Sequence, residues 1–182
     1  MSEKASKEDL ATIEAQLGRP PRDIHAIAYR CPCGGAAVVE TKPRLNDGTP
    51  FPTFYYATCP KLTSVISTLE NSPLMSEMNE RLAKDAELSG AYRAAHDDYL
   101  AARAALGVEV AEIADISAGG MPDRVKCLHS LVAHSLASGE GVNPLGDEAL
   151  ELLPQWWLNS PCVDSKLIDA GDEKSGQQKS GM

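Results

Sequence analysis

The sequence predicts an α+β protein, a small antiparallel sheet packed against a mainly helical C-terminal part. Two observations carry that expectation. Between Ile24 and Thr58 the apolar residues fall in short runs separated by turn formers, Gly34-Gly35 and Asn46-Asp47-Gly48-Thr49-Pro50. From Leu62 to Leu153 they recur at intervals of three and four, the period of a helix. A chain of 182 residues suits one domain with a sizeable core. Residues 1–8 are expected to be a flexible lead, 9–163 a single domain, and 164–182 a disordered tail. The tail is rich in Gly, Ser, Gln, Asp and Lys and has little apolar surface to bury.

The elements follow in order. Ser6 is placed to cap a first helix, with Glu8 and Asp9 in its first turn and Leu10, Ile13 and Leu17 on one face; Gly18 ends it. Ile24 to Tyr29, Ala36 to Thr41 and Phe54 to Thr58 read as strands. A short helix is expected from Leu62 to Asn71 and a long one from Leu74 to Gly107, with Gly90 as its breaking point. Gly119-Gly120 is a loop. Pro122 suits a first helical turn, so a helix is expected from there to Ser138, stopped by Gly139. Asn143-Pro144-Leu145-Gly146 reads as a turn, and Glu148 to Leu153 as a last short helix. Trp156-Trp157 reads as a cap on the core. His96-Asp97-Asp98 reads as a solvated face of the long helix.

Charge and hydropathy narrow the function. Lys and Arg number 17 against 26 Asp and Glu, a net charge of −9. That excludes general nucleic-acid binding, which depends on neutralising phosphates. No run approaches the roughly 18 apolar residues of a membrane span, so no membrane partner is expected. Met1 to Leu10 is charged and lacks the apolar run of an export signal, from which a cytoplasmic protein is expected.

The five cysteines carry the most chemical information. Cys31-Pro32-Cys33-Gly34 is a turn able to present two thiols to one side. Cys59 ends a strand and is followed by Pro60. Cys127 follows the Gly119-Gly120 loop. Clustered thiols in a reducing compartment point to metal ligation rather than disulfides, since thiolate is the soft donor that zinc and iron–sulfur clusters take. Cys31, Cys33, Cys59 and Cys127 are therefore the expected ligands of a zinc ion or an iron–sulfur cluster; buried reduced thiols are the alternative. Cys162, beside the tail, is left out. His129 and His134 are expected behind the sulfurs or as alternative ligands. In a regular helix His129 would point away from Cys127.

Four basic residues flank the cysteine segments or the Asp47-Gly48-Thr49-Pro50 loop: Arg30, Arg44, Arg124 and Lys126. They are candidates for binding a phosphate-containing ligand or for balancing thiolate charge, with ion pairing to nearby acids as the structural alternative.

Several segments together resemble one bacterial family, domain of unknown function 501, prominent in actinobacteria. They are Arg30-Cys31-Pro32-Cys33-Gly34, Pro43-Arg44-Leu45, Asp47-Gly48-Thr49-Pro50-Phe51-Pro52-Thr53 and Thr58-Cys59-Pro60. Gly120-Met121-Pro122-Asp123-Arg124-Val125-Lys126-Cys127-Leu128-His129, Ala133-His134 and Asn143-Pro144-Leu145-Gly146-Asp147 complete the set. The resemblance spans about Asp9 to Leu153 and implies a cytoplasmic bacterial protein with no assigned activity, cofactor or catalytic residue. The residues themselves point to a cysteine-ligated centre in a binding or regulatory module. The alternatives are a cysteine-dependent enzyme acting on an anionic, phosphate-containing substrate and an iron–sulfur protein with redox work.

Overall fold

The computed structural model describes residues 2–158 and 160–163. Helix α1 (Lys7–Leu17) opens on Ser6, whose hydroxyl accepts from the Asp9 N–H while the Asp9 carboxylate accepts from the Ser6 N–H. This reciprocal cap satisfies two amides that a helix start leaves without partners. Three antiparallel strands follow: β1 (Ile24–Arg30), β2 (Ala36–Thr41) and β3 (Tyr55–Ala57), in spatial order 1-2-3. The sheet is covered on both faces. Ile13 of α1 packs with Ile27, Ala36 and Val39, while Ala37 and Val38 belong to the main core shared with the helices. Hence every position of β2 is buried. The lead segment, expected to be flexible, is tied to the sheet edge: Glu3 and Ile27 exchange two backbone hydrogen bonds.

The helical part comprises α2 (Pro60–Glu70), α3 (Leu74–Leu82), α4 (Ala86–Ala104), a short 3-10 turn at Ala111–Ile113, α5 (Leu128–Ser138) and α6 (Pro144–Glu151). The α+β architecture agrees with the sequence reading. Helix α5 is the central element: Leu128, Leu131, Val132, Ala133, His134 and Ser135 are all buried, against β3, α2 and α6. Helix α6 approaches it so closely that a Cβ at Gly146 would lie 2.4 Å from the Leu131 carbonyl oxygen. Tyr99 ties α4 to the sheet, its hydroxyl oxygen accepting from the Phe54 N–H at 2.6 Å. Arg103, 5% exposed, donates to the carbonyls of Pro52, Ile113 and Ile116 and so holds the loop after α4. Trp156 is buried and meets Trp157 edge-on at 4.7 Å, as a cap on the core.

Three helix boundaries differ from the sequence reading. The long helix breaks at Asp85 rather than Gly90, because the Asp85 carboxylate accepts from the Glu87 and Leu88 N–H groups and starts a new helix. Gly90 lies inside α4, with open space where a side chain would be. The Asn143-Pro144 segment is the start of α6 rather than a turn, since Asn143 caps Gly146 N–H and Pro144 takes the first helical position. Helix α5 begins at Leu128 rather than Pro122. The amides of Arg124 and Lys126 bond back to Gly120 and Gly119, and Asn79 takes both backbone groups of Val125. That closed loop needs Gly120 at φ +97°, where a Cβ would meet the Arg124 carbonyl oxygen at 2.5 Å. His96 is buried rather than solvated, with Nδ1 2.9 Å from the Ser117 hydroxyl. The expected tail, 164–182, lies outside the described residues.

Candidate metal centre

The β1–β2 connection brings the first two thiols together. Gly34 N–H bonds to the Cys31 carbonyl and Cys31 N–H to that of Gly35, a tight turn with Gly34 at φ +93°. Arg30 braces the turn from outside: it makes a two-point ion pair with Asp9 of α1 at 2.7 and 2.9 Å, pairs with Glu3, and donates to the Gly34 carbonyl.

The third thiol comes from the far end of the chain. The Sγ atoms of Cys31 and Cys162 are 3.5 Å apart, and Cys31, Cys33 and Cys162 all lie within 4.8 Å of one another. This three-cysteine cluster could hold a metal ion. Cys31 and Cys162 are buried and Cys33 is exposed. Cys59, fully buried at the N-cap of α2, lies outside this group, although its thiol adds to the rise in the Cys162 pKa. The segment carrying Cys162 is fastened to α2 by Lys61, which donates to the carbonyl and hydroxyl oxygens of Ser160.

The environment separates the thiols electrostatically. Burial pushes Cys31 and Cys162 up, the neighbouring thiols adding to the rise at Cys162. At Cys33 burial also pushes up, but the N–H groups of Gly35 and Cys162 and the adjoining thiols outweigh it and bring the group down to about 7. The exposed member is thus the readiest thiolate, the form in which sulfur binds metal.

Cys127, expected in the same centre, belongs to another group: its sulfur lies within 4.8 Å of donor atoms of Glu70 and His129. Because α5 starts at Leu128, Cys127 is extended (φ −154°, ψ 113°), and the expectation that His129 turns away from it does not hold. His134 lies deep in the core, fully buried. Its Nε2 faces Asp98 at 3.3 Å, its Nδ1 faces the Asn143 amide at 3.2 Å, and its ring stacks on Tyr55. Both ring nitrogens are thereby engaged, and burial pushes its pKa down.

The basic residues divide as well. Arg30 is engaged by Asp9 and Glu3. Arg44 makes a two-point pair with Glu112 at 2.8 and 2.9 Å and donates to the Gly48 carbonyl, closing its own loop. Arg124 and Lys126 are exposed on the loop before α5.

Sequence reasoning missed Cys162 and Glu70. A signal for the first was present: Cys31-Pro32, Cys59-Pro60 and Pro161-Cys162 each set a proline beside the cysteine, whereas Cys127 lies between Lys126 and Leu128. No comparable signal marks Glu70, which reaches Cys127 only through the packing of α2 on α5.

A family model described as a protein of unknown function, DUF501, matches residues 27–151. Cys31, Cys33, Cys59 and Cys127 fall inside that span and Cys162 beyond it. No curated protein and no solved structure matches the chain.

Proposed function

Because the chain belongs to the DUF501 family, whose function is unknown, its chemistry has to come from its own side chains, and we propose that it is a zinc-centred binding or regulatory module. Cys31, Cys33 and Cys162 supply three ligands and Cys59 the fourth. The observation that carries the reading is the mutual approach of three thiols, 3.5 Å at the closest pair. Sulfurs on one zinc ion stand roughly 3.5–4 Å apart, from Zn–S bonds of about 2.3 Å. Cysteines on the separate irons of a cluster stand wider, so the spacing favours a single ion. Four thiolates would leave no open coordination position, which suits a structural role. The ion would join the β1–β2 turn, the start of α2 and the C-terminal segment.

A cysteine-dependent reaction on a phosphate-bearing substrate is the weaker reading, since Arg30 and Arg44 are already held by carboxylates.

Anaerobic purification with elemental analysis and a visible spectrum tests the proposal. The expected result is a colourless protein with zinc bound, and a Cys162→Ser variant that loses the ion of this centre while Cys127→Ser keeps it. A brown, iron-containing protein would overturn the choice of metal. A Cys162→Ser variant with undiminished zinc would overturn the ligand set.

A further inference from the structure

The second donor group has a different character. Glu70 is the last residue of α2, Cys127 the N-cap of α5, and His129 lies in the first turn of α5. It shares no residue with the four-thiol centre. Cys59 and Glu70 flank opposite ends of α2, roughly 16 Å apart at 1.5 Å per residue.

The arrangement of hydrogen bonds leaves a place for a cation here. His129 Nε2 lies 3.2 Å from the Thr63 carbonyl, which can only accept, and this partner favours the tautomer with the ring proton on Nε2. The Ser67 hydroxyl, 3.3 Å from Nε2, adds a second contact on the same side. In the neutral ring Nδ1 is then a bare lone pair, and it faces the Glu70 carboxylate oxygen Oε1 at 3.1 Å. Two acceptors at that distance repel unless a proton or a metal ion lies between them. Glu70 Oε1 meanwhile accepts from the N–H groups of Leu128, at 2.6 Å, and His129, at 3.4 Å. Cys127 Sγ completes the set, and all three donor atoms lie within 4.8 Å of one another.

We propose that Cys127, His129 and Glu70 bind a divalent metal ion of the zinc class, with a fourth coordination position open to the adjoining cleft. Thiolate, imidazole and carboxylate are the donors zinc takes, and three protein ligands with one open position are the pattern of its reactive sites. The negative charges of the thiolate and carboxylate balance the ion. The carbonyl of Thr63 holds the imidazole as metal-bound histidines are commonly held, through the nitrogen away from the metal. In a tetrahedral site the donors stand about 3.5 Å apart, so closure needs only about an ångström of side-chain adjustment. Cys127, His129 and Ser130 form one wall of a cleft of about 500 Å³, with Tyr55, Thr58 and Thr63 among its other lining residues. The open position faces small oxygen ligands there, water first.

The competing occupant is a proton: the same contacts raise the His129 pKa to about 9, its hydrogen bond with Cys127 being the largest cause. The test therefore uses the metal alone. After dialysis of the full chain against zinc at neutral pH, Cys127→Ser and Glu70→Gln are expected each to hold about one ion fewer than wild type, while Cys162→Ser keeps the ion of this site. A Cys127→Ser chain with undiminished zinc overturns the proposal, whatever becomes of the four-thiol centre. Cadmium-113 NMR of the unsubstituted chain needs no variant to fold. A resonance in the range of mixed sulfur, nitrogen and oxygen ligands is expected, and its absence, with or without an all-sulfur signal, overturns the proposal.

Discussion

Asp9 and Arg30 show how one ion pair serves the thiol turn. The Arg30 hydrogen bond holds the Asp9 carboxyl down at about 2, against an ordinary value of 3.8. A depressed carboxylate contributes stability that is complete above the ordinary value and disappears as pH falls through the folded one. Arg30 is partly exposed, so screening reduces the contribution to about 1–2 kcal/mol. Asp9→Asn should therefore destabilise at neutral pH by that amount, and the difference from wild type should vanish between about pH 4 and pH 2. Urea denaturation across that window measures it; a pH-independent difference would assign the effect to the helix cap instead. At this scale the sequence was informative about residue type and less so about partners. Cys31 and Cys33 are neighbours along the chain, and their shared turn is legible from it. Cys162 was passed over because the polar tail beside it suggested no packing, although Lys61 and Ser160 anchor it. The direction of Cys127 depends on whether the helix has begun, and the residue types around it do not say.

The helices α5 and α6 press together at Gly146, and that contact admits no side chain. Gly146→Ala should cost about 1–3 kcal/mol through overpacking. A lowered urea midpoint with an unchanged slope is the expected signature, and an unchanged midpoint would mean that the two helices can part without loss. The strands and α1 were legible because local signals act alone there: a cap at Ser6, glycine turns and short apolar runs. The misplaced boundaries have a common cause. Asp85, Asn143 and Asn79 each accept hydrogen bonds from backbone N–H groups, and in doing so decide where a helix begins. For Asn79 that amide belongs to Val125, 46 residues away, so local propensity has no access to it. Gly90 carries the opposite lesson: a weak helix former in open space is tolerated when its helix is anchored by buried Tyr92, Ala95 and Tyr99.

Across the whole molecule the sheet lies between α1 and the helical core, and the proposed zinc centre joins its first turn to the last described residues. A chain ended at Leu158 should lose that ion. With free metal at about 100 times Kd, binding adds about 2.7 kcal/mol, so the melting temperature should fall by roughly 5–10 °C. Chelator should lower the full-length chain by more than the shortened one, which keeps only the Glu70, Cys127 and His129 group; equal melting temperatures for both chains in zinc would reject the joining role. The α+β class is readable because periodicity changes twice, from helical to extended after Gly18 and back to helical near Cys59. The covering of both sheet faces was not, because β2 gives no alternation when every position is buried.

The separation of Cys31 from Cys162, 131 residues, has a consequence in time. A ribosome adds about 5–20 residues each second, so the closing thiol is made roughly 7–26 s after the opening one. Until then Cys31, Cys33 and Cys59 would be an incomplete part of the proposed ligand set on a growing chain, available to metal or oxidant. Completion of the centre would then report that translation has passed Cys162, and a product released before that point lacks the residue that shuts it.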